Sequence, residues 1–228
     1  MGTRGRDGDG GLLAGLVPAG VVARELVADL RRDGDDSGLS AEEAAVVAAA
    51  VPRRRHQFAA GRRLAREALV DLGRAPVPIL PGPRGAPTWP VGIVGSVTHC
   101  DGYVAAALGE ASRWRALGID AEPAAPLPPN VLERIASATE RTWLGERSTA
   151  RPEVAWDRLL FCVKEAVFKA WFPVHGTSPG FRGAEVRLDD GDGFVAIVTD
   201  RSRASGDQVE VAGRWVQGRG LLVCAAWS

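Results

Sequence analysis

The sequence predicts an α+β fold made of two lobes, each close to half of the chain. Helical patterns precede short apolar runs twice along the 228 residues, which is typical of this fold class. A linker with four prolines, residues 123–130, separates the two series. We therefore expect a disordered start over residues 1–18, an N-terminal lobe over 19–122 and a C-terminal lobe over 123–228.

The first lobe begins with helical patterns. Apolar residues at helical spacing predict a helix over residues 21–30. Ser40 and Glu43 have the form of a capping box, in which a serine hydroxyl caps a helix and a glutamate three residues later reaches back to it. An alanine-rich helix should follow, interrupted at Pro52 and resumed over residues 53–72.

The remaining elements are predicted from short apolar runs and from two more periodic segments. Proline and glycine are too dense between residues 76 and 90 for a helix. Strands are expected over residues 91–97, 103–108, 114–119, 194–199, 209–216 and 221–227, and helices over 131–144 and 156–172.

Charge and cysteine content exclude several classes of protein. The 28 basic and 28 acidic side chains cancel, which argues against a protein that coats nucleic acid, because that binding scales with the phosphates neutralised. No apolar run approaches membrane-spanning length, and no signal peptide is recognisable. The three single cysteines indicate reduced thiols in a cytoplasmic protein. Only two of the basic residues, Lys164 and Lys169, are lysines.

Asp120 and Glu122 stand two residues apart where a strand is expected to end. In an extended segment such residues point to the same face, so their carboxylates converge. Mg²⁺ binds one or two protein carboxylates and completes its shell with water and phosphate oxygens. A solvated acidic strand end is the more frequent interpretation of an isolated pair of this kind.

The helix predicted over residues 156–172 has two apolar faces. One face is long enough to pack on a sheet. Glu165 lies on the other, among phenylalanines, which makes it a candidate for a raised pKa or for a metal ligand. Lys169 follows one turn later, either as a simple ion-pair partner or, with Lys164, as a mobile charge suited to a shifting phosphate.

Ser96, Thr98 and His99 end another predicted strand and are suited to bind a phosphate, although a lone histidine is more often structural. No acid or nucleophile elbow accompanies them, so a Ser/His catalytic dyad is not indicated. Upstream, six arginines between residues 53 and 66 lie on one helix. Such a run is usually a solvated face, but it also offers several guanidinium groups to an anionic ligand.

Five segments occur in the order typical of 4′-phosphopantetheinyl transferases. They are residues 53–58 (RRRHQF), 85–90 (GAPTWP), 95–100 (GSVTHC), 118–123 (GIDAEP) and 161–171 (FCVKEAVFKAW). The chain resembles the Sfp-type branch of this family, and within it the actinobacterial enzymes similar to enterobactin synthetase component D. The resemblance covers the chain from about residue 52 to the C-terminus.

The resemblance implies transfer of the 4′-phosphopantetheine arm of coenzyme A to a serine of an acyl or peptidyl carrier protein, with release of adenosine 3′,5′-bisphosphate. It implies two pseudo-symmetric lobes, each a small, largely antiparallel sheet packed with helices, with coenzyme A in the cleft between them. The carrier would serve polyketide, nonribosomal peptide or fatty acid synthesis. A monomer would be sufficient, and neither nucleic acid nor a membrane is expected as a partner.

By matching motifs, the resemblance also assigns residues of the reaction site. Asp120, Glu122 and Glu165 would hold Mg²⁺ on the pyrophosphate, and Glu165 would be the base for the carrier serine, directly or through water. Lys164 and Lys169 would neutralise the pyrophosphate as the leaving group departs.

The same resemblance assigns the nucleotide contacts. The adenosine 3′-phosphate would be bound by Arg54, Arg62 and His99, with Ser96 and Thr98 contributing nearby.

One position departs from the pattern of the family, and two other classes of protein stay open. Pro81 stands where close relatives often have a lysine, which leaves Arg84 to meet a phosphate from that loop. A Mg²⁺-dependent phosphohydrolase of a nucleotide-like substrate would not need the arginine helix. A coenzyme-A-binding module without chemistry would leave Glu165 and both lysines unexplained.

Overall fold

The computed structural model describes residues 11–28, 34–199 and 208–228. Their first half contains β1 (Val22–Val27), α1 (Ala41–Val47), α2 (Pro52–Asp71), β2 (Ile93–Cys100) and β3 (Tyr103–Glu110). The three strands form an antiparallel sheet in the order β1-β3-β2, and α2 packs on it through apolar side chains.

The second half forms a larger antiparallel sheet in the order β4-β8-β7-β6-β5, on which the long helix α5 packs. Its elements are β4 (Leu117–Pro123), α3 (Val131–Ile135), α4 (Ala138–Ala150), α5 (Trp156–His175), β5 (Ala184–Leu188), β6 (Gly193–Thr199), β7 (Gln208–Gly218) and β8 (Leu221–Trp227). The predicted α+β fold with two lobes is confirmed.

Both lobes use a capping box at the start of a helix. Ser40 and Glu43 begin α1 in this way, as predicted, and Ser137 and Glu140 begin α4 with the same reciprocal hydrogen bonds. Each of these serine side chains accepts a backbone N–H that the helix itself cannot satisfy. Both glutamates are fully buried, so they also hold the helix start against the body of its lobe.

Two predictions of secondary structure in these segments are wrong. The helix expected over residues 21–30 is strand β1, which pairs with β3 along its whole length; residues 29–33 lie outside the described part of the chain. Strand pairing outweighs the weak helical spacing of this segment, since its hydrogen bonds go to a neighbouring strand. The helix expected over residues 131–144 is two helices, α3 and α4, and α4 continues past the predicted end to Ala150. Strand β5 was not predicted.

The beginning of the chain also differs from expectation. Residues 1–10 lie outside the described part, but from residue 11 the chain is packed, with Leu13 and Leu16 buried. Glu25 of β1 accepts the backbone N–H groups of Leu12 and Leu13 at 2.7 and 2.6 Å. The expectation of disorder up to residue 18 is therefore wrong for residues 11–18, because apolar burial outweighs the loop-like composition.

The lobes join along β2 and β4 and through a shared apolar core. Ser96 Oγ accepts the backbone N–H of Ile119 at 3.1 Å, and Thr98 Oγ1 accepts that of Ala121 at 3.2 Å. The shared core combines the segment around Leu13 with residues of β3, β4 and β8. Strand β4 pairs with β8 over its full length. It thus belongs to the C-terminal sheet, whereas we placed the lobe boundary after it, at residues 122–123.

The described residues include no helix with the length and apolarity that a bilayer crossing requires. All three cysteines are free thiols, in line with their single spacing along the sequence.

Candidate functional site

Asp120 lies at the junction of the two lobes, near the end of β4. Its Oδ1 atom accepts a hydrogen bond from Lys169 Nζ of α5 at 2.7 Å and another from the Thr98 hydroxyl of β2 at 3.1 Å. Asp120 is only 5% exposed, and among the described residues its Oδ2 atom has no hydrogen-bond partner. A buried carboxylate oxygen without a donor is costly unless a ligand satisfies it.

Lys169 reaches this junction because α5 lies unusually close to β4. At Gly118 of β4, an added Cβ atom would overlap the carbonyl oxygen of Ala166 in α5, so only glycine permits the approach. Besides Asp120, the ammonium donates to Ile119 O at 3.1 Å. The Lys169 side chain is still 28% exposed. The ammonium is therefore anchored to β4, while the side chain stays partly exposed to solvent.

Glu122 and Glu165 share the electrostatic environment of Asp120. Burial raises the pKa of Glu165, and the charges of Asp120 and Glu122 raise it further, while Lys169 opposes them. Burial and Asp120 likewise raise the pKa of Glu122. Arg158 of α5 opposes that change through an ion pair at 2.9 Å. The two glutamates thus lie within the electrostatic influence of Asp120, with Lys169 and Arg158 as the opposing cations.

This arrangement fits a divalent cation, although the ligands are not preassembled. The part of the chain that the structure describes contains no group of three His, Cys, Asp or Glu side chains poised around one point for a metal. Asp120 nevertheless offers a buried oxygen without a donor among the described residues, and its charge raises the pKa of both Glu122 and Glu165. Hard oxygen donors with excess negative charge match Mg²⁺, which keeps several water or phosphate ligands.

A second group of side chains, all from the N-terminal lobe, is cationic. Arg54 contacts the imidazole Nε2 of His99, so the two ligands predicted on α2 and β2 do come together. Burial, Arg54 and Lys169 lower the pKa of His99 to about 4, which keeps the ring neutral at pH 7. A neutral imidazole can still donate one hydrogen bond to a phosphate.

Arg62 completes this group from a position further along α2. It is only 5% exposed, its guanidinium lies 4.2 Å from the centre of the Phe58 ring, and its Nε atom has no partner among the described residues. Burial lowers its pKa to about 10; the Glu43 carboxylate opposes this change, and the nearby Arg54 charge adds to it. A buried guanidinium with an unsatisfied N–H next to a second arginine favours an anionic ligand.

Lys164 is not brought to either group. Its side chain is 1% exposed and forms an ion pair with Glu140 of α4 at 2.7 Å. Burial lowers the pKa of Lys164, and Glu140 opposes that change. The placement does not match the pyrophosphate contact that the resemblance implied for this lysine.

Three other predicted residues have partners within the protein. The hydroxyls of Ser96 and Thr98 bond to the β4 backbone across the lobe junction, so they serve assembly of the site. Arg84 has a left-handed backbone, with φ of 54°, in the turn Pro83–Gly85. Its guanidinium lies 5.8 Å from the Phe172 ring of α5, so this N-terminal loop reaches the second lobe.

A cavity of about 180 Å³ opens beside Glu165. The loop that precedes β5 forms one wall and α5 the other, and the lining is mainly apolar. Its residues are Lys164, Glu165, Val167, Phe168, Ser178, Pro179, Gly180, Phe181 and Ala184. From the sequence alone, residues 177–181 of this loop are expected to contact the carrier protein just beyond the catalytic helix, and none of its side chains is assigned to coenzyme A.

Arg158 was also missed. A signal for it exists, since Arg158 precedes Glu165 by seven residues, or two helical turns, and so lies on the same face of α5. Besides its ion pair with Glu122, its guanidinium donates to the carbonyl oxygens of Ala125 and Pro126. Arg158 therefore fixes both the end of β4 and the linker after it.

Comparison with known proteins matches both lobes to one family. The family model of the 4′-phosphopantetheinyl transferase N-terminal domain matches residues 42–109, and that of the 4′-phosphopantetheinyl transferase superfamily matches residues 116–221. The interval between them, where the chain passes from β3 to β4, agrees with a lobe boundary before β4.

Three similar proteins are 4′-phosphopantetheinyl transferases from actinobacteria. Svp of Streptomyces mobaraensis is 46% identical over 217 residues, which cover 94% of this chain and 88% of that protein. Npt of Nocardia iowensis is 45% identical over 92% of this chain and 96% of its own length. PptT of Mycobacterium tuberculosis is 40% identical over 95% of this chain and 97% of its own length. At this identity and coverage, with an acidic junction and a cationic group at matching motifs, the chain belongs to the 4′-phosphopantetheinyl transferase family.

Proposed function

We propose that this enzyme transfers the 4′-phosphopantetheine arm of coenzyme A to a serine of an acyl or peptidyl carrier protein. The observation that carries the proposal is that two buried polar groups, Asp120 at the lobe junction and Arg62 on α2, each lack a hydrogen-bond partner among the described residues. Asp120 presents a buried oxygen without a donor, and Arg62 presents a buried N–H without an acceptor, among the residues that the structure describes. The 3′-phosphate of coenzyme A would supply an acceptor for the Arg62 N–H, and a Mg²⁺ ion that accompanies the pyrophosphate would supply the positive charge that the Asp120 oxygen lacks.

Arg54, Arg62 and His99 bind the 3′-phosphate, which does not react. Two guanidinium groups and a neutral imidazole suit a stationary dianion, since their donors have fixed directions. Arg84, held over the cleft by its contact with Phe172, is the candidate for a further phosphate contact.

The reaction itself takes place at the acidic junction. The serine oxygen of the carrier forms a bond to the phosphorus that bears the pantetheine, and the bond from that phosphorus to the adenylate oxygen breaks. Adenosine 3′,5′-bisphosphate leaves with the electron pair. Glu165, whose pKa is raised, accepts the serine proton, directly or through water, and Lys169 balances charge on the departing phosphate.

Mg²⁺ is the cofactor that suits this site, and Asp120, Glu122 and Glu165 would hold it. When bound, it neutralises negative charge on the pyrophosphate. The apolar cavity beside Glu165 matches the uncharged pantetheine chain, whereas the nucleotide end of the ligand matches the arginines.

The partner surface and setting derive from the same assignment. The substrate protein would be a carrier of polyketide, nonribosomal peptide or fatty acid synthesis. The reaction would then take place in the cytoplasm. A polyketide or nonribosomal peptide carrier would assign the enzyme to antibiotic and other secondary metabolism. Because one chain contributes both lobes of the site, a monomer is sufficient for the reaction. Neither nucleic acid nor a membrane takes part in this chemistry.

The direct test is to incubate the enzyme with coenzyme A, Mg²⁺ and an apo carrier protein and to weigh the carrier by mass spectrometry. We expect the mass of one phosphopantetheine group on the carrier serine, and none when Mg²⁺ is chelated or the serine is replaced by alanine. Hydrolysis of coenzyme A without carrier modification would instead indicate a phosphohydrolase. Binding of coenzyme A without either product would indicate a module without chemistry.

A further inference from the structure

Lys164 uses all of its hydrogen-bonding capacity inside the protein. Its ammonium donates to Glu140 Oε2 at 2.7 Å, to the carbonyl oxygen of Ile135 at 2.8 Å and to that of Phe181 at 2.7 Å. An ammonium has three N–H donors, and these three acceptors occupy them all. With its side chain 1% exposed, Lys164 has no donor left for a phosphate.

The three acceptors come from three separate segments. Ile135 ends α3, Glu140 lies in the first turn of α4, and Phe181 begins the short 3₁₀ turn Phe181–Gly183 before β5. Glu140 adds a fourth connection, because its Oε1 atom accepts the backbone N–H of Val186 in β5 at 2.9 Å. The Lys164–Glu140 pair therefore connects α5 to α3, α4, the Phe181 turn and β5, which are the segments around the loop of residues 178–181.

That loop forms the wall of the cavity opposite α5. Phe181 lines the cavity, and its ring stacks on Phe161 of α5 at 5.7 Å between ring centres. Lys164 holds the backbone carbonyl of the same residue, so the ring and the main chain are fixed together. Since Glu165 follows Lys164 on α5 and lines the same cavity, the position of this wall sets the space beside the base.

We propose that Lys164, through its buried pair with Glu140, is a positioning residue that holds the Phe181 loop as the wall of the cavity next to Glu165. It acts on the pantetheine end of the substrate through this wall and not on the pyrophosphate through its charge. The identity of the ligand rests on the proposed function; the placement of the wall does not.

Hydrogen exchange of the ligand-free enzyme tests the placement. Lys164→Met removes the ammonium and nearly keeps the length of the side chain, and we expect faster amide exchange over residues 178–186. Glu140→Gln should accelerate the same segment, because it weakens the same tie. If Lys164 contributed only a contact to a bound phosphate, its replacement would leave amide exchange in the ligand-free enzyme unchanged.

Arg66→Met is the matched control. Arg66 pairs with buried Glu43 in the N-terminal lobe, at 2.8 Å, far along the chain from the Phe181 loop. Its loss should lower the melting temperature without accelerating exchange over residues 178–186. Acceleration there by Arg66→Met would show a general loss of stability and overturn the assignment.

Ligand binding supplies the second measurement. In Lys164→Met we expect the affinity for coenzyme A to fall by about tenfold, the effect of one lost contact of roughly 1.4 kcal/mol, while that for adenosine 3′,5′-bisphosphate stays within about twofold. The bisphosphate lacks the pantetheine arm and so does not report on the cavity wall.

If Lys164→Met leaves a charge mismatch that prevents folding, the double variant Lys164→Met, Glu140→Gln carries the same comparison, because neither partner is then charged. Unchanged exchange over residues 178–186 in the variant that folds, or an equal loss of affinity for both ligands, would overturn the proposal. A wild-type enzyme that modifies no carrier would refute the proposed function and leave the exchange result standing.

Discussion

The N-terminal and C-terminal lobes contain the same buried ion-pair device. In each, a Ser-x-x-Glu capping box begins a helix, and the fully buried glutamate accepts the backbone N–H of a later segment, that of Ile79 in one lobe and that of Val186 in the other. A cation on the long helix completes the pair, 23 residues after Glu43 and 24 residues after Glu140.

The two pairs differ in the surroundings of the next residue along the helix. Arg66 is 19% exposed, and its successor, Glu67, points to solvent, where it meets Arg63 at 3.3 Å. Lys164 is 1% exposed, and its successor, Glu165, lines the cavity at the lobe junction. The device secures a helix in both lobes, but the carboxylate that follows the cation is exposed on α2 and lines a cavity on α5. Chemistry therefore depends on where the fold places the neighbouring carboxylate.

The largest expected effect contrasts these two carboxylates. Glu165→Gln should lower turnover by about 10²- to 10⁴-fold, because the variant loses the base that accepts the serine proton. Glu67→Gln, the equivalent change on α2, should leave turnover close to that of the wild type. Steady-state rates with a carrier protein measure both, and a near-normal rate for Glu165→Gln would contradict the assigned role.

Removing the glutamate of either pair should destabilise the protein, and the loss should be larger for Glu140 than for Glu43. Glu140→Ala leaves the buried Lys164 charge unpaired, which we expect to cost about 3–5 kcal/mol of the free energy of unfolding. Glu43→Ala should cost less, since Arg66 is partly solvated. Urea denaturation of the two variants checks the order, and a larger cost at Glu43 would refute the comparison.

The core shared by the lobes gives a third prediction. Leu13 is fully buried against residues of both sheets, so Leu13→Ala should cost about 2–5 kcal/mol of the free energy of unfolding. Leu12→Ala, at the half-buried neighbour, should cost less. Equal and small effects in urea denaturation would mean that residues 11–18 contribute little to joining the lobes.

The cationic group of the N-terminal lobe should decide phosphate discrimination. Replacing Arg54 and Arg62 by glutamine should remove most of the preference for coenzyme A over dephospho-coenzyme A, about tenfold to a hundredfold for lost charge-assisted hydrogen bonds. Arg63→Gln, an exposed change on the same helix, is the control. Calorimetric affinities for the two ligands measure the effect, and persistent discrimination would mean that α2 presents only a solvated face.

The last prediction concerns pH. Because the pKa of His99 is lowered to about 4 in the folded protein from an ordinary value of 6.5, the unfolded chain binds a proton between these values that the folded chain does not bind. Stability linked to His99 is therefore complete above pH 6.5 and is lost as the pH falls toward 4. His99→Gln should flatten this part of a stability–pH profile, and parallel profiles would contradict it.

Local patterns indicated several residues of the candidate site. The Asp120 and Glu122 pair, the two-faced helix with Glu165 and the arginines of α2 were all recognisable, since each depends on spacing within one element. The partners of Ser96, Thr98 and Lys164 were not, because each lies on another element or in the other lobe. In the sequence, a hydroxyl or an ammonium is equally suited to bind a ligand or a buried backbone group. Only the fold shows which of these partners lies close to it.

The amino-acid sequence by itself determined the two series of helices and strands, the capping box of α1 and the family of the protein, because these depend on short-range periodicity and motif order. Only the tertiary structure decided that residues 22–27 form a strand, that residues 11–18 pack at the lobe junction and that the two lysines have different surroundings. The Lys169 side chain is partly exposed and that of Lys164 is enclosed, although both lie on α5. The reason is that burial and hydrogen bonding depend on which elements meet in space, and no spacing along one helix contains that information.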